Sequence, residues 1–396
     1  MGIRIVPYEA GYRAAVERFN RRLAGSAVDA ELRLPATPDP DWLPGTEIWL
    51  AVEGEEVRGG YLLRRQIFSI GGETHAVAHY RLPLSEGLID RGYVMLGGRL
   101  VRDALAHEPR LYALGMGGWQ RPLPQMLQRL KWRMAEVPFY FKVPHPYAFL
   151  RGAKAVRVSW FARLVCDVAA FSGAGWLAMK AAGVARRTRG TAPFEMPARF
   201  AGWADSIWES SRKHYGMAAV REAATLDQIY PPESARFLRV RAAGGWAVLL
   251  DTQMRGHKQF GDLRVGTLAD CLAPNAQSTS AVVRTAVAVL EERGVDLILS
   301  NQLHHYWRQA LEGAGFPSLT KVPVFGRGKQ KGLTVGPVHY DELPKVLIMT
   351  VINDKDLDRV LNVIQDKART GFIGDGKIFV SPVENAYTVR TGEAGL

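Results

Sequence analysis

The chain has 396 residues and a formal net charge of +12. That length exceeds what one core usually takes and predicts two or three domains. Cys166 and Cys271 are the only cysteines, which excludes a disulfide framework and a cysteine zinc site. The positive balance favours anionic partners such as nucleotides, acidic metabolites or anionic lipid. No RNA- or DNA-binding motif accompanies it, so nucleic acid is not predicted.

The N-terminus, Met1 to Tyr8, reads as a short strand and has none of the features of a signal peptide, so a reducing cytoplasm is the expected location. A helix over Glu9 to Leu23 follows. Glu47–Val52 and Arg58–Arg64 read as paired strands around the turn at Glu53-Gly54-Glu55-Glu56. His75–Leu84 reads as a third strand, Tyr93–Ala106 as a helix and Arg110–Met116 as a further strand. This first region is expected to span residues 1–150.

Residues 151–193 read as a linker. Its segment Leu164–Ala185 is rich in Ala, Gly, Leu, Val and Trp and precedes Arg186-Arg187-Thr188-Arg189. Asp167 and Lys180 interrupt it, and a spanning helix needs ~20 predominantly apolar residues. An amphipathic helix between domains is the expectation; contact with a membrane surface through the basic tail is the alternative.

Residues 194–316 repeat the rhythm of the first region. Ala201–Tyr215 reads as a helix, Phe237–Ala242 and Trp246–Asp251 as strands around Ala243-Gly244-Gly245, and Phe260–Leu268 as another strand. A helix over Ser280–Arg293, a strand over Val295–Ser300 and a helix over Tyr306–Ala314 complete it, with Gly315 as a C-cap.

Both regions therefore run helix, hairpin, central strand, helix, strand, helix. That order resembles the Gcn5-related acetyltransferase (GNAT) fold, and two such units in tandem resemble FemAB-like acyl or aminoacyl transferases. The resemblance implies a glycine-bearing turn that binds acyl-CoA pyrophosphate at a helix N-terminus. Arg91, Gly92, Gly97 and Gly98 are the candidates in the first region, with a spacing that departs from the family pattern. The matching turn of the second region, Cys271 to Ser278, has no glycine. His79 and Glu86 flank the first central strand, while His257, Asp262 and Asp270 bracket the second. Each is a candidate acid or base, although a lone histidine near a strand end is more often a structural hydrogen-bonding residue. His304-His305 lacks metal-ligand spacing with a third residue.

The most specific chemistry lies near the C-terminus. Thr370-Gly371-Phe372-Ile373-Gly374-Asp375-Gly376-Lys377 crowds three glycines around an acid and a lysine, before a strand-like run from Ile378 to Val383. A backbone that bare wraps a phosphate chain with its N–H groups pointing inward. Arg390-Thr391-Gly392-Glu393 is a second short basic loop. Upstream stand Phe325 to Gly332 and Asp341-Glu342-Leu343-Pro344-Lys345. Together these motifs, in this order, resemble the nitrogen-regulatory PII signalling family over residues 318–396, closest to its nitrogenase-associated subgroup.

The PII resemblance implies a ferredoxin-like α+β sensor module at 317–396 that assembles as a homotrimer. It implies that Gly326, Arg327, Lys331, Gly374, Asp375, Gly376, Lys377 and Arg390 bind ATP or ADP, and that Gln330 and Lys345 bind Mg2+ and 2-oxoglutarate. The regulatory target implied is a nitrogen-metabolism enzyme or transporter. The expected fold is thus α/β, two GNAT-like mixed-sheet units followed by the PII module. The leading function is a PII-type sensor fused to an acyltransferase-like body. One alternative is an N-acyltransferase using acetyl-CoA, another acyl-CoA or aminoacyl-tRNA, with a structural tail. Another is a non-catalytic binding protein with degenerate GNAT units. Whether the body is an enzyme stays open, as does the assignment of 295–316, which either the second GNAT-like unit or the PII module needs as its strand and helix.

Overall fold

Alternating burial along its second strand organises the first sheet. In β2 (Thr46–Glu53) Ile48, Leu50 and Val52 point to one face, and Trp49 and Ala51 to the other. The computed structural model describes residues 2–25, 32–39, 42–43, 45–116, 121–154, 192–316, 320–326, 333–335, 338–340, 343–349, 354, 357–368 and 378–382. Two compact units, Met1–Pro317 and Ser318–Leu396, divide the chain.

In the larger unit, β1 (Arg4–Pro7), β2, β3 (Glu56–Ile70) and β4 (Glu73–Ser85) form an antiparallel sheet, and β5 (Leu111–Tyr112) lies parallel to β4. Helix α1 (Arg13–Ala24) covers one face with Phe19 and Leu23; α2 (Leu96–His107) covers the other with Leu100, Val101 and Ala104. Helix α3 (Pro122–Arg129) adds Leu127 to the second face. A one-residue bulge breaks the β3–β4 register: Leu82 and Pro83 oppose Tyr61, and Leu82 takes a φ of 45°.

The second sheet runs β6-β12-β11-β10-β9-β7. Its strands are β6 (Phe139–Lys142), β7 (Phe194–Glu195), β9 (Phe237–Ala242), β10 (Gly245–Gln253), β11 (Arg264–Leu272) and β12 (Leu297–Asn301). Helix α4 (Pro146–Gly152) follows β6. Helices α5 (Gly202–Ser211) and α6 (Ala223–Ile229) cover one face through Trp208 and Leu226, joined by Phe200 just before α5. Helices α7 (Ala276–Glu292) and α8 (His305–Gly313) cover the other through Val283, Val287, Leu290, Trp307 and Leu311. Ala269 bulges from β11 where Val248 pairs Asp270 and Leu249 pairs Leu268.

The order helix, hairpin, central strand, helix, parallel strand occurs in both halves, as expected. Two strands cross between them. β6, from before residue 150, pairs with β12, and β8 (Met217–Ala219) pairs with Phe68–Ile70 of β3. Some bounds differ from expectation. The strand expected over Phe260–Leu268 runs from Arg264 instead, because residues 256–263 are tied into a loop: Asp262 Oδ1 accepts from Gly256 N at 2.7 Å, and His257 and Gly261 exchange backbone bonds. The strand expected over Arg110–Met116 keeps only Leu111 and Tyr112, because β4 pairs with it no further. β12 and α8 stand in the second sheet and its core. The expected linker helix at 164–185 lies outside the described residues.

The smaller unit contains β13 (Thr320–Gly326) antiparallel to β16 (Leu343–Met349), the hairpin β14 (Leu333–Val335) and β15 (Val338–Tyr340), and helix α9 (Leu357–Ala368). The strand expected from Ile378 is not formed over 378–382. A strand needs a ladder partner, none pairs with these residues among those described, and Phe379 is 81% exposed.

Candidate functional site

The parallel pair β4–β5 lasts two residues, Ala78 with Leu111 and His79 with Tyr112. Beyond it, β4 keeps β3 on one side only among the described residues, so a fork opens toward the start of α2. The His79 and Tyr112 rings stack at its root, 4.6 Å apart and 9° from parallel, and the Tyr112 hydroxyl donates to Gln66. His79 Nε2 and the Tyr80 hydroxyl are buried without a hydrogen-bond partner among the described residues. Burial, with Arg81 and Arg64 nearby, pushes the His79 imidazole down to about 4. It is neutral near pH 7, the state a base requires.

A neutral, half-buried histidine also sets a pH dependence. The folded imidazole binds its proton below the ordinary value of 6.5, so the unfolded chain carries more protons between about pH 6.5 and 4. Stability present above pH 6.5 is lost as the pH falls through that window. His79→Gln is expected to flatten this part of the profile, read as urea midpoints at pH 7 and pH 5. An unchanged slope would mean that His79 is as well solvated folded as unfolded.

At the far end of the fork, Arg91–Tyr93 form a 3-10 turn in which Gly92 N donates to Asp90 Oδ1 at 2.8 Å. Helix α2 then begins after Met95, whose side chain supplies no cap, so the bare residues Gly97 and Gly98 stand in its first turn. Val94 and Met95 are exposed, and a Cβ on Gly98 would meet nothing within 4 Å. The Met126 sulfur lies 3.4 Å from the place a Cβ on Gly97 would take, so the open side of this turn is at Gly98, where free N–H groups can receive an anion. The equivalent place in the second half is closed. Asn275 caps α7, accepting from Ser278 N at 2.9 Å. Beside it the Tyr215 hydroxyl donates to Ala273 O and accepts from Trp307 Nε1, both at 3.1 Å, with the His304 ring 4.5 Å from Tyr215.

The other candidate acids and bases have partners. Glu86 is buried with one oxygen on Arg22 at 2.8 Å and the other on Arg58 at 3.0 Å, which ties α1 to β3. His257 Nδ1 accepts from the amides of Gln259 and Phe260, each at 3.2 Å. Asp270 bonds Arg221 at 2.8 Å and the Tyr230 hydroxyl at 2.9 Å. These arrangements hold loops and layers in place. Sequence reading did not single out the Tyr112, Gln66 and Arg221 surroundings, because their partners come from distant strands.

In the smaller unit, register places the backbones of two predicted ligand-binding residues near one another. Gly326 opposes Leu343, and Lys345 opposes Val324, two residues further along. Arg327, Gln330, Lys331, Gly374, Asp375, Gly376, Lys377 and Arg390 lie outside the described residues. Among the described residues no cluster of His, Cys, Asp and Glu is suited to a metal ion, and no helix is long and apolar enough to cross a membrane.

The larger unit, with its two bulged sheets, makes this an α/β protein of two mixed-sheet halves, to which a smaller strand-and-helix module is joined. The family model for nitrogen regulatory protein P-II matches residues 293–393. A GlnB-like protein 1 of the nitrogen fixation nifHD region of Methanothermobacter marburgensis is 60% identical over 87 residues, 22% of this chain and 83% of the relative. Nitrogen regulatory protein P-II 2 of Methanothermobacter thermautotrophicus is 46% identical over 92 residues, 22% of this chain and 80% of the relative. Through this C-terminal part, the chain belongs to the nitrogen regulatory protein P-II family. Among solved structures, Saccharomyces cerevisiae N-myristoyltransferase with bound myristoyl-CoA is similar at 8% identity and a TM-score of 0.46, over 79% of this chain and 76% of that one.

Proposed function

We propose that the chain is a cytoplasmic sensor of nitrogen and energy state, whose P-II module binds ATP or ADP and 2-oxoglutarate and is fused to an acyltransferase-like body. Family membership of the C-terminal part, with relatives from a nitrogen-fixation gene region, is the observation that carries this reading. The residue types fit the ligands. The backbone of Gly374, Asp375 and Gly376, with Lys377, suits a phosphate chain, and Arg390 adds a planar donor set. Gly326, Arg327 and Lys331 stand at the loop base for phosphate and adenosine. Gln330 offers an oxygen to the Mg2+ carried by ATP, and Lys345 a charge to a carboxylate. A thermal-shift series with ATP, ADP, 2-oxoglutarate and acetyl-CoA tests the assignment, since a ligand of the native state raises apparent stability. A chain that shifts with none of the first three is not this sensor.

Two further expectations follow from the same sites. Gln330→Ala and Lys345→Ala should each abolish 2-oxoglutarate binding and leave ADP binding largely intact, because they face the metal and the dicarboxylate. Calorimetry reads both ligands; loss of ADP in both variants would point to misfolding. The module is also expected to form a closed three-fold ring in which Arg390 reaches a neighbour's site. Light scattering with and without Mg-ATP tests this, and a strict monomer that binds ATP tightly would exclude it.

The contrast between the two helix starts, α2 and α7, favours a second activity. The open N-terminus of α2 beside Gly97 and Gly98 suits the pyrophosphate of acetyl-CoA or another acyl-CoA, with His79 as a neutral base at the fork's root. The capped α7 leaves the second half without that place. An acetyl-CoA shift that disappears on blocking Gly98 with a bulky residue supports a donor site there.

A further inference from the structure

One segment answers to two folds. The family match begins at residue 293 and so takes in all of β12 and α8. In the structure the same residues fill the larger unit. β12 is paired on both edges, with Val265–Leu268 in parallel and with Phe139–Lys142 antiparallel. Trp307, Ala310 and Leu311 of α8, and then Ala314 and Phe316, are buried in the second sheet's core. Two hydrogen bonds fasten the helix. Lys142 Nζ donates to Ala314 O at 2.9 Å, and Trp307 Nε1 donates to the Tyr215 hydroxyl at 3.1 Å.

The double fit has a physical reason. A strand covered on both faces reads as a continuous apolar run, here Leu297-Ile298-Leu299, and a helix that packs on a sheet reads as an apolar stripe. A sequence that satisfies this pattern for one fold satisfies it for the other. Only residues 317–319 separate the buried Phe316 from Thr320 at the start of β13. Three residues are too few for a second strand and helix.

We infer that β12–α8 is a single shared segment, held permanently by the acyltransferase-like body, and that the P-II module operates without a first strand and helix of its own. The inference rests on the sensor reading for its functional meaning. It makes the body the root of the module: the segment that a free-standing relative keeps for itself is here spent on the body's core. Nucleotide binding then occurs without any transfer of the strand, since withdrawing β12 would open both its ladders and expose the side chains of α8.

Hydrogen exchange on the full chain, with and without Mg-ATP, tests this through peptides covering 139–142, 264–272, 297–301 and 320–326. Without nucleotide, 297–301 should be protected to within about tenfold of 264–272, as members of one cooperative unit. Both should lose protection together in Trp307→Ala, or in the milder Trp307→Phe if the first fails to fold. With Mg-ATP, the protection of 139–142, 264–272 and 297–301 should persist. Exchange of 297–301 independent of 264–272 would overturn the inference. So would a nucleotide effect that protects 297–301 together with 320–326 while 139–142 and 264–272 become exposed. If calorimetry detects no ATP binding, the sensor reading fails by itself, and the nucleotide-free comparison still decides which unit holds the segment.

Discussion

Lys142→Ala is expected to destabilise the larger unit by ~3–5 kcal/mol, the usual cost of breaking a buried ion pair from one side. The Lys142 side chain is 1% exposed and meets Glu291, 8% exposed, at 2.9 Å. Burial pushes the ammonium down, opposed by the hydrogen bond and the charge of Glu291. Its second hydrogen bond, to Ala314 O, secures the C-terminal end of α8 to β6. Removing the lysine leaves a carboxylate buried beside α7 with its main charge partner gone. Against a total stability of roughly 5–15 kcal/mol, that loss is large. Urea unfolding followed by tryptophan fluorescence reads it. Lys142→Met together with Glu291→Leu should recover most of the loss, because removing both charges removes the desolvation cost. A single variant with an unchanged midpoint would mean that water reaches the pair.

The second large effect concerns nucleotide. Lys377→Ala is expected to weaken ATP binding by ~1.5–3 kcal/mol, the value of a hydrogen bond to a charged group. That corresponds to roughly 10- to 150-fold in Kd. Calorimetry on the full chain compares the two proteins. Equal affinities would remove Lys377 from the phosphate site. A loss for ATP that is much smaller for ADP would place its charge near the terminal phosphate.

The sequence was most legible where its signals are local. The hairpin of β9 and β10 is announced by Ala243-Gly244, and both residues take positive φ, at 48° and 74°. The helix–strand–helix run at the end of the second half follows apolar periodicity; its strand and last helix appear within a residue or two of expectation, while α7 starts four residues earlier, at Ala276. The family of the C-terminal part was legible for a different reason: the glycines and basic residues of its motifs are specific by type and spacing. Non-local elements were not legible. β6 has four residues and β8 three, too few for any periodicity, and each is a strand only because a distant edge pairs with it. The acid–base candidates show the same limit. Glu86 and Asp270 look available in sequence, and only the fold brings Arg22, Arg58 and Arg221 against them.

The crossing of β6 and β8 bears on how this protein is made. Each half lends the other a strand: Phe139–Lys142 goes forward to the second sheet, and Met217–Ala219 goes back to the first. During synthesis the first sheet must wait for residue 219, and β6 must wait unpaired until β12 emerges. Lys142 and Ala314, joined by a hydrogen bond, are 172 residues apart in sequence. Closing such distances early is entropically costly and slow. The halves are therefore not portable modules. A chain stopped at residue 150 would present β6 with no sheet to join, and one begun at 194 would leave an edge of β12 open to any passing strand.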